Sequence, residues 1–144
     1  MQIGEVSKLT GLPISTLRYY DKNHLFPNID RTTGGTRNFS KDDLNALRII
    51  ECLKNSGMKI SEIKQFMIWC SEGDSTIDKR LKMFENQEKN IEEQIKILEN
   101  SLKLIRFKKW YYSKAKKDGT INIIKNTSIE KYPKEIKKLY EETH

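Results

Sequence analysis

The chain has 144 residues, 36% hydrophobic and 33% charged, with a formal net charge of +7. This length suits one ordinary domain, or a small domain plus an extended element, and a mean hydropathy of −0.73 implies a modest core. No apolar run approaches the ~18 residues of a membrane helix. The two cysteines, Cys52 and Cys70, exclude a disulfide scaffold and fall short of a four-ligand zinc site, and the opening MQIGEVSKLT lacks a signal-peptide core, so a cytoplasmic location is expected.

In chain order, Ile3, Val6, Leu9 and Leu12 recur every three residues, which predicts a short amphipathic helix stopped at Gly11. A second helix is predicted from about Ile14 to Lys22, with Ile14, Leu17 and one tyrosine inward and Ser15, Thr16, Arg18 and a second aromatic outward. Two short helices joined by a tight turn containing glycine form a helix-turn-helix. Gly34-Gly35, inside the span 28–40, permits a tight hairpin between two very short strands, a small β-wing. Ser40 reads as an N-cap with Asp42 and Asp43 in the first turn of a third helix that carries Leu44, Leu47, Ile50, Cys52 and Leu53 and stops near Gly57. A fourth runs from about Ser61 to Cys70, ended by Gly73.

Residues 77–112 contain neither glycine nor proline. Steps of four and three from Ile77 reach Leu81, Phe84, Glu88, Ile91, Ile95, Leu98, Leu102 and Ile105, apolar at every position but Glu88, with charged residues between. So narrow a stripe is a coiled-coil seam, roughly 43 Å long at 1.5 Å per residue. It is too long to bury against the small domain before it, so a second copy is its simplest partner. Glu88 is a defect that can set register or orientation. Residues 113–144 are Lys-rich and weakly patterned, with a short helix expected from about Pro133 to Glu142. The expected organisation is therefore mainly α: a winged helix-turn-helix head over 1–76, a dimerisation helix over 77–112, and a short tail or helix over 113–144.

Charge alone does not locate a function. Residues 1–76 hold 10 Lys and Arg against 9 Asp and Glu, a net of +1, whereas 77–144 hold 17 against 11, a net of +6. The densest run, 103–117, has Lys103, Arg106, Lys108, Lys109, Lys114, Lys116 and Lys117 and no acid. A solvated helix end is the ordinary reading of such a run, and contact with a polyanion the alternative.

The segment IGEVSKLTGLPISTLRYYDKNHLFP, then GGTRNF, then a helix pair leading into a coiled coil, resembles the MerR family of transcription regulators over about residues 1–112. Leu17-Arg18-Tyr19-Tyr20-Asp21 with Gly35-x-Arg37-x-Phe39 is the specific signature. Cys52-Leu-Lys-Asn-Ser-Gly-Met58, Glu72-Gly-Asp-Ser-Thr76, and Lys109-Trp-Tyr-Tyr112 followed by Gly119-Thr120 are similar to the short thiol- and aldehyde-responsive branch. The resemblance implies a homodimer with two heads and an antiparallel coiled coil. It implies binding to a palindromic promoter site with overlong −35 to −10 spacing, bent and untwisted on an effector's action so that RNA polymerase can use it. Phe39 departs from the frequent tyrosine of the wing, and Lys59 from the frequent serine cap of the fourth helix.

Arg18, on the presumed recognition helix, is suited to bidentate contact with a phosphate or guanine edge, with an ion pair to Asp21 as its structural alternative. Ser15, Thr16 and Tyr19 flank it; Tyr20 completes the set, although inward packing suits it better. Arg37, Asn38 and Phe39 on the wing, Arg31 on the opposite strand, and Lys59 at a helix N-terminus complete the candidate DNA contacts. Cys52 is the candidate effector thiol, with Arg48 and Lys54 near enough in sequence to favour a thiolate, against the alternative of a buried inert cysteine. Trp110, Tyr111 and Tyr112 are candidates for an effector pocket or an interface plug. Leu81, Phe84, Ile91, Ile95, Leu98, Leu102 and Ile105 are the dimerisation residues. No metal or cofactor is implied. Two histidines and no nucleophile–base motif argue against an enzyme, leaving an effector-independent repressor and a coiled-coil adaptor as the competing functions.

Overall fold

The computed structural model describes residues 1–26, 30–31 and 37–144. It is mainly helical: α1 (Ile3–Thr10), α2 (Ile14–Lys22), the strands β1 (Asp30–Arg31) and β2 (Arg37–Asn38), α3 (Lys41–Asn55), α4 (Ile60–Glu72), a 3-10 turn at Asp74–Thr76, α5 (Ile77–Asp118), α6 (Asn122–Lys125), a second 3-10 turn at Ile129–Lys131, and α7 (Lys134–Thr143). The strands pair antiparallel, Asp30 opposite Asn38 and Arg31 opposite Arg37. The hairpin turn expected at Gly34-Gly35 lies outside the described residues.

Local signals set the boundaries. Gly11 takes the left-handed conformation at φ 73° and caps α1 by donating its N–H to the Ser7 carbonyl. At α3 the capping box is complete: Ser40 N–H donates to Asp43 Oδ2 at 2.8 Å, and Asp43 N–H donates to Ser40 Oγ at 3.1 Å. Lys59 precedes α4 with no side-chain cap. The long helix continues six residues past Tyr112, to Asp118. Ser113 to Asp118 contains no helix breaker, and the stop falls at Gly119, φ 73°.

The chain forms two compact units, Met1–Glu88 and Lys89–His144. In the first, Val6, Leu17, Tyr20, Leu25, Phe26, Phe39, Leu47, Ile50, Leu53, Met58, Ile63, Phe66 and Met67 make one core, with Met83 of α5 packed against it. The first turns of α5 are tied to this head. The Thr76 hydroxyl donates to the Trp69 carbonyl at 2.6 Å, and Arg80 Nη2 donates to the Gly73 carbonyl at 2.9 Å. The Phe84 ring meets Phe66 edge-on at 5.2 Å.

The second unit is built around Phe107, 3% exposed, with Ala115 and Ile124 also buried. The rings of Trp110, Tyr111, Tyr132, Tyr140 and His144 all lie within 6.2 Å of the Phe107 ring. Lys103 of α5 and Glu142 of α7 pair at 3.0 Å. The weak patterning of 113–144 therefore hides a folded segment. Its apolar contacts come from widely spaced aromatics, which no helical or strand period displays.

Candidate nucleic-acid interface

Helix α2 begins right after Pro13, whose fixed φ suits a helix start, and ends at the Asn23 cap. Leu17 and Tyr20 are fully buried, which turns the opposite face outward. On that face Ser15, Arg18 and Tyr19 are exposed and Thr16 is half-buried. Lys22 is exposed one helical turn beyond Arg18 and extends the face; its i+4 spacing from Arg18 was the available sequence signal for it.

Tyr20 is a correction to the candidate contact set. Its ring fills the head core and its hydroxyl donates to the Glu51 carboxylate of α3. Burial, reinforced by Glu51, raises this phenol far above its ordinary 10.0. Phe39 is corrected for the same reason. It is 2% exposed, and its ring stands edge-on to Phe26 at 5.5 Å, so it supports the wing from behind. The ion pair weighed for Arg18 forms elsewhere: Arg37 Nε donates to the carboxylate of Asp21, which is nearly buried. Arg37 thereby fastens β2 to the end of α2, with its side chain 26% exposed. Asn38 is exposed, and the Phe39 N–H donates to the Met1 carbonyl at 2.7 Å, which seats the end of β2 against the start of the head. The Arg31 side chain lies outside the described residues. Lys59 is exposed at the N-terminus of α4, where unpaired amides and the helix dipole favour an anion.

The assembled surface is polar and cationic, carried on rigid elements. Such a surface can accept phosphate oxygens from Arg18, Lys22 and Lys59 while Ser15 and Tyr19 hydrogen-bond beside them.

The remaining candidates separate. Cys52 and Cys70 are both exposed, so Cys52 is not the buried thiol of its structural alternative. Trp110 and Tyr111 pack on Phe107, whereas Tyr112, 55% exposed, lines a cavity of about 340 Å³ with Ala115, Lys116, Gly119, Thr120 and Ile121. The expected three-residue pocket is therefore divided, with two of its aromatics used as core. In the first unit Leu81 and Phe84 are exposed; in the second, Ile95, Leu98, Leu102 and Ile105 are exposed and Ile91 half-buried. Among the described residues no group of three or more His, Cys, Asp or Glu is placed to hold a metal ion, and no helix is long and apolar enough to cross a membrane.

Comparison with known proteins bears on this surface directly. The family model described as MerR HTH family regulatory protein matches residues 1–68. An uncharacterized HTH-type transcriptional regulator of Haemophilus influenzae is 43% identical over 114 residues, 79% of this chain and 84% of that protein. The crystal structure of HiNmlR, a MerR family regulator lacking the sensor domain and bound to promoter DNA, is 40% identical, with a TM-score of 0.77 over 85% of this chain and 97% of the other. A MerR family regulator from Bacillus thuringiensis is 48% identical, with a TM-score of 0.69 over 75% and 95%.

Proposed function

This chain belongs to the MerR family of DNA-binding transcriptional regulators, and we propose that it works in the cytoplasm as a homodimer on a palindromic promoter site. The relatives are transcriptional regulators, and a solved relative is held on promoter DNA. In this reading residues 1–76 bind DNA, 77–112 pair the subunits, and 113–144 finish the second unit. The observation that carries it is the α2 surface: Ser15, Arg18 and Tyr19 stand outward over a buried Leu17 and Tyr20, next to a wing that Arg37 and Asp21 lock in place.

The apolar stripe of α5 supports pairing. Leu81, Leu98, Leu102 and Ile105 are 45–68% exposed, and each side chain contributes about 1.5–3 kcal/mol when taken fully out of water. Glu88 supports an antiparallel arrangement, because a parallel two-fold pairing would set Glu88 against its own copy at the seam. Two heads on one dimer match two half-sites. Distorting the DNA between them gives RNA polymerase a usable promoter, and an adduct on the exposed thiol of Cys52 is the proposed trigger.

Selection of bound duplexes from a random pool tests the reading. A regulator enriches an inverted repeat and loses affinity steeply as salt rises. Recovery of no sequence, or a single unrepeated half-site, refutes the palindromic homodimer.

A further inference from the structure

The C-terminal turn of α3 is closed by a compact set of bonds. Ser56 N–H donates to the Cys52 carbonyl at 3.0 Å, Gly57 N–H to Lys54 at 3.0 Å, and Met58 N–H to Leu53 at 3.0 Å. The Ser56 hydroxyl also donates to the Leu53 carbonyl at 2.7 Å. Gly57, at φ 91°, turns the chain toward α4. These bonds satisfy the orphan carbonyls of the last turn, and all involve residues within a few positions of Cys52.

The Ser56 carbonyl and hydroxyl oxygens have a further partner. Gln87 Nε2 of α5 donates to Ser56 O at 3.1 Å and to Ser56 Oγ at 2.8 Å. Among the described residues no other α5 side chain hydrogen-bonds to this turn. Gln87 is half-buried and stands one residue before Glu88, between Phe84 and Ile91 on the helix. Any movement of Ser56 therefore acts on α5 beside its apolar stripe. The amide can donate to both oxygens only while the turn keeps its closed form, so Gln87 distinguishes two states of the α3 end.

We infer that Gln87 is the positioning residue through which the state of the α3 C-terminus at Cys52 is passed to the long helix α5. This rests on the reading of Cys52 as the effector thiol. The physical requirement is one element whose equilibrium both ends bias, and the Ser56–Gln87 pair supplies it. An adduct on Cys52 adds bulk to the last turn of α3, loosens the Ser56 N–H bond to the Cys52 carbonyl, and withdraws the acceptors of Gln87.

The test is amide hydrogen exchange on the full chain carrying Cys70→Ser, before and after Cys52 is alkylated with iodoacetamide. It is made with Gln87 intact and with Gln87→Met, which keeps side-chain length and helix propensity but donates nothing. Gln87→Glu serves as a second variant that also lacks the donor. With Gln87 intact, alkylation should speed exchange across residues 85–91 several-fold. In both variants exchange there should already be fast and should not change on alkylation. An equal response in intact and variant chains, or no response in any of them, overturns the inference. The measurement needs no DNA. A failure to bind duplex DNA would thus sink the regulator reading while leaving this result standing, and a missing exchange response would sink the coupling while leaving DNA binding untouched.

Discussion

The two wing-proximal arginines look interchangeable in the sequence, yet they do different work. Arg18 is exposed, whereas Arg37 is engaged by Asp21. Arg18→Ala should weaken operator binding by about 1–3 kcal/mol, or leave a salt slope lower by about one if the contact is to phosphate, with an unchanged melting temperature. Arg37→Ala should lower stability by about 1–2 kcal/mol, because the nearly buried Asp21 loses a charged partner. Melting curves and anisotropy titrations on the same preparations separate the two effects. Tyr20 gives a pH dependence. Its folded pKa is raised, so the stability it contributes is complete below about pH 10 and is lost as pH climbs through the raised folded value. Urea midpoints should fall on the alkaline side for the native chain and fall less for Tyr20→Phe. Inward and outward positions on α2 were legible from period alone, since Leu17 and Ser15 fall where 3.6 residues per turn puts them. The partner of Asp21 was not, because Arg18 is three residues away and Arg37 sixteen, and only the folded wing brings the second one near.

At the scale of elements, the sequence announced starts and stops that carry a local mechanism. Gly11, the Ser40–Asp43 box and the unbroken α5 pattern each act within a turn of the chain, so each could be read without the fold. The end of α5 was misjudged because Trp110-Tyr111-Tyr112 looks like a terminus, whereas nothing before Gly119 opposes helix. The aromatic core of the second unit was missed for a different reason. Phe107 is one ring in a basic run, and its partners Tyr132 and Tyr140 lie 25 and 33 residues on. Their meeting depends on α7 folding back, which leaves no periodic trace. Phe107→Ala should cost about 3–5 kcal/mol, the range for removing a buried phenylalanine, and should erase much of the near-ultraviolet dichroism of the surrounding tyrosines. The head should keep its own protection in hydrogen exchange, because its core is a separate cluster. Burial, with Tyr111 and Tyr140 beside it, raises the Tyr132 phenol, so Tyr132 should ionise later than the exposed Tyr112 in a spectrophotometric titration.

For the molecule as a whole, the apolar stripe of α5 and the α2 surface make separable demands. A stripe left this exposed on one chain is covered at a free-energy gain only by another helix, and pairing brings a second α2 surface to the same DNA. Affinity for a palindrome then depends on both, because the second head binds at a high effective concentration once the first has docked. Ile95→Asp places a charge in the middle of the stripe and should shift the chain to monomer in sedimentation, with the helical signal of the head retained. That monomer should bind an isolated half-site as well as the native chain does, while its affinity for the full inverted repeat falls at least tenfold, toward the half-site value. Arg18→Ala should weaken both sites and leave the dimer intact. If Ile95→Asp remains dimeric, the seam is misplaced. If it turns monomeric yet keeps full affinity for the repeat, pairing and DNA binding are not linked through α5, and the homodimer has no part in recognition.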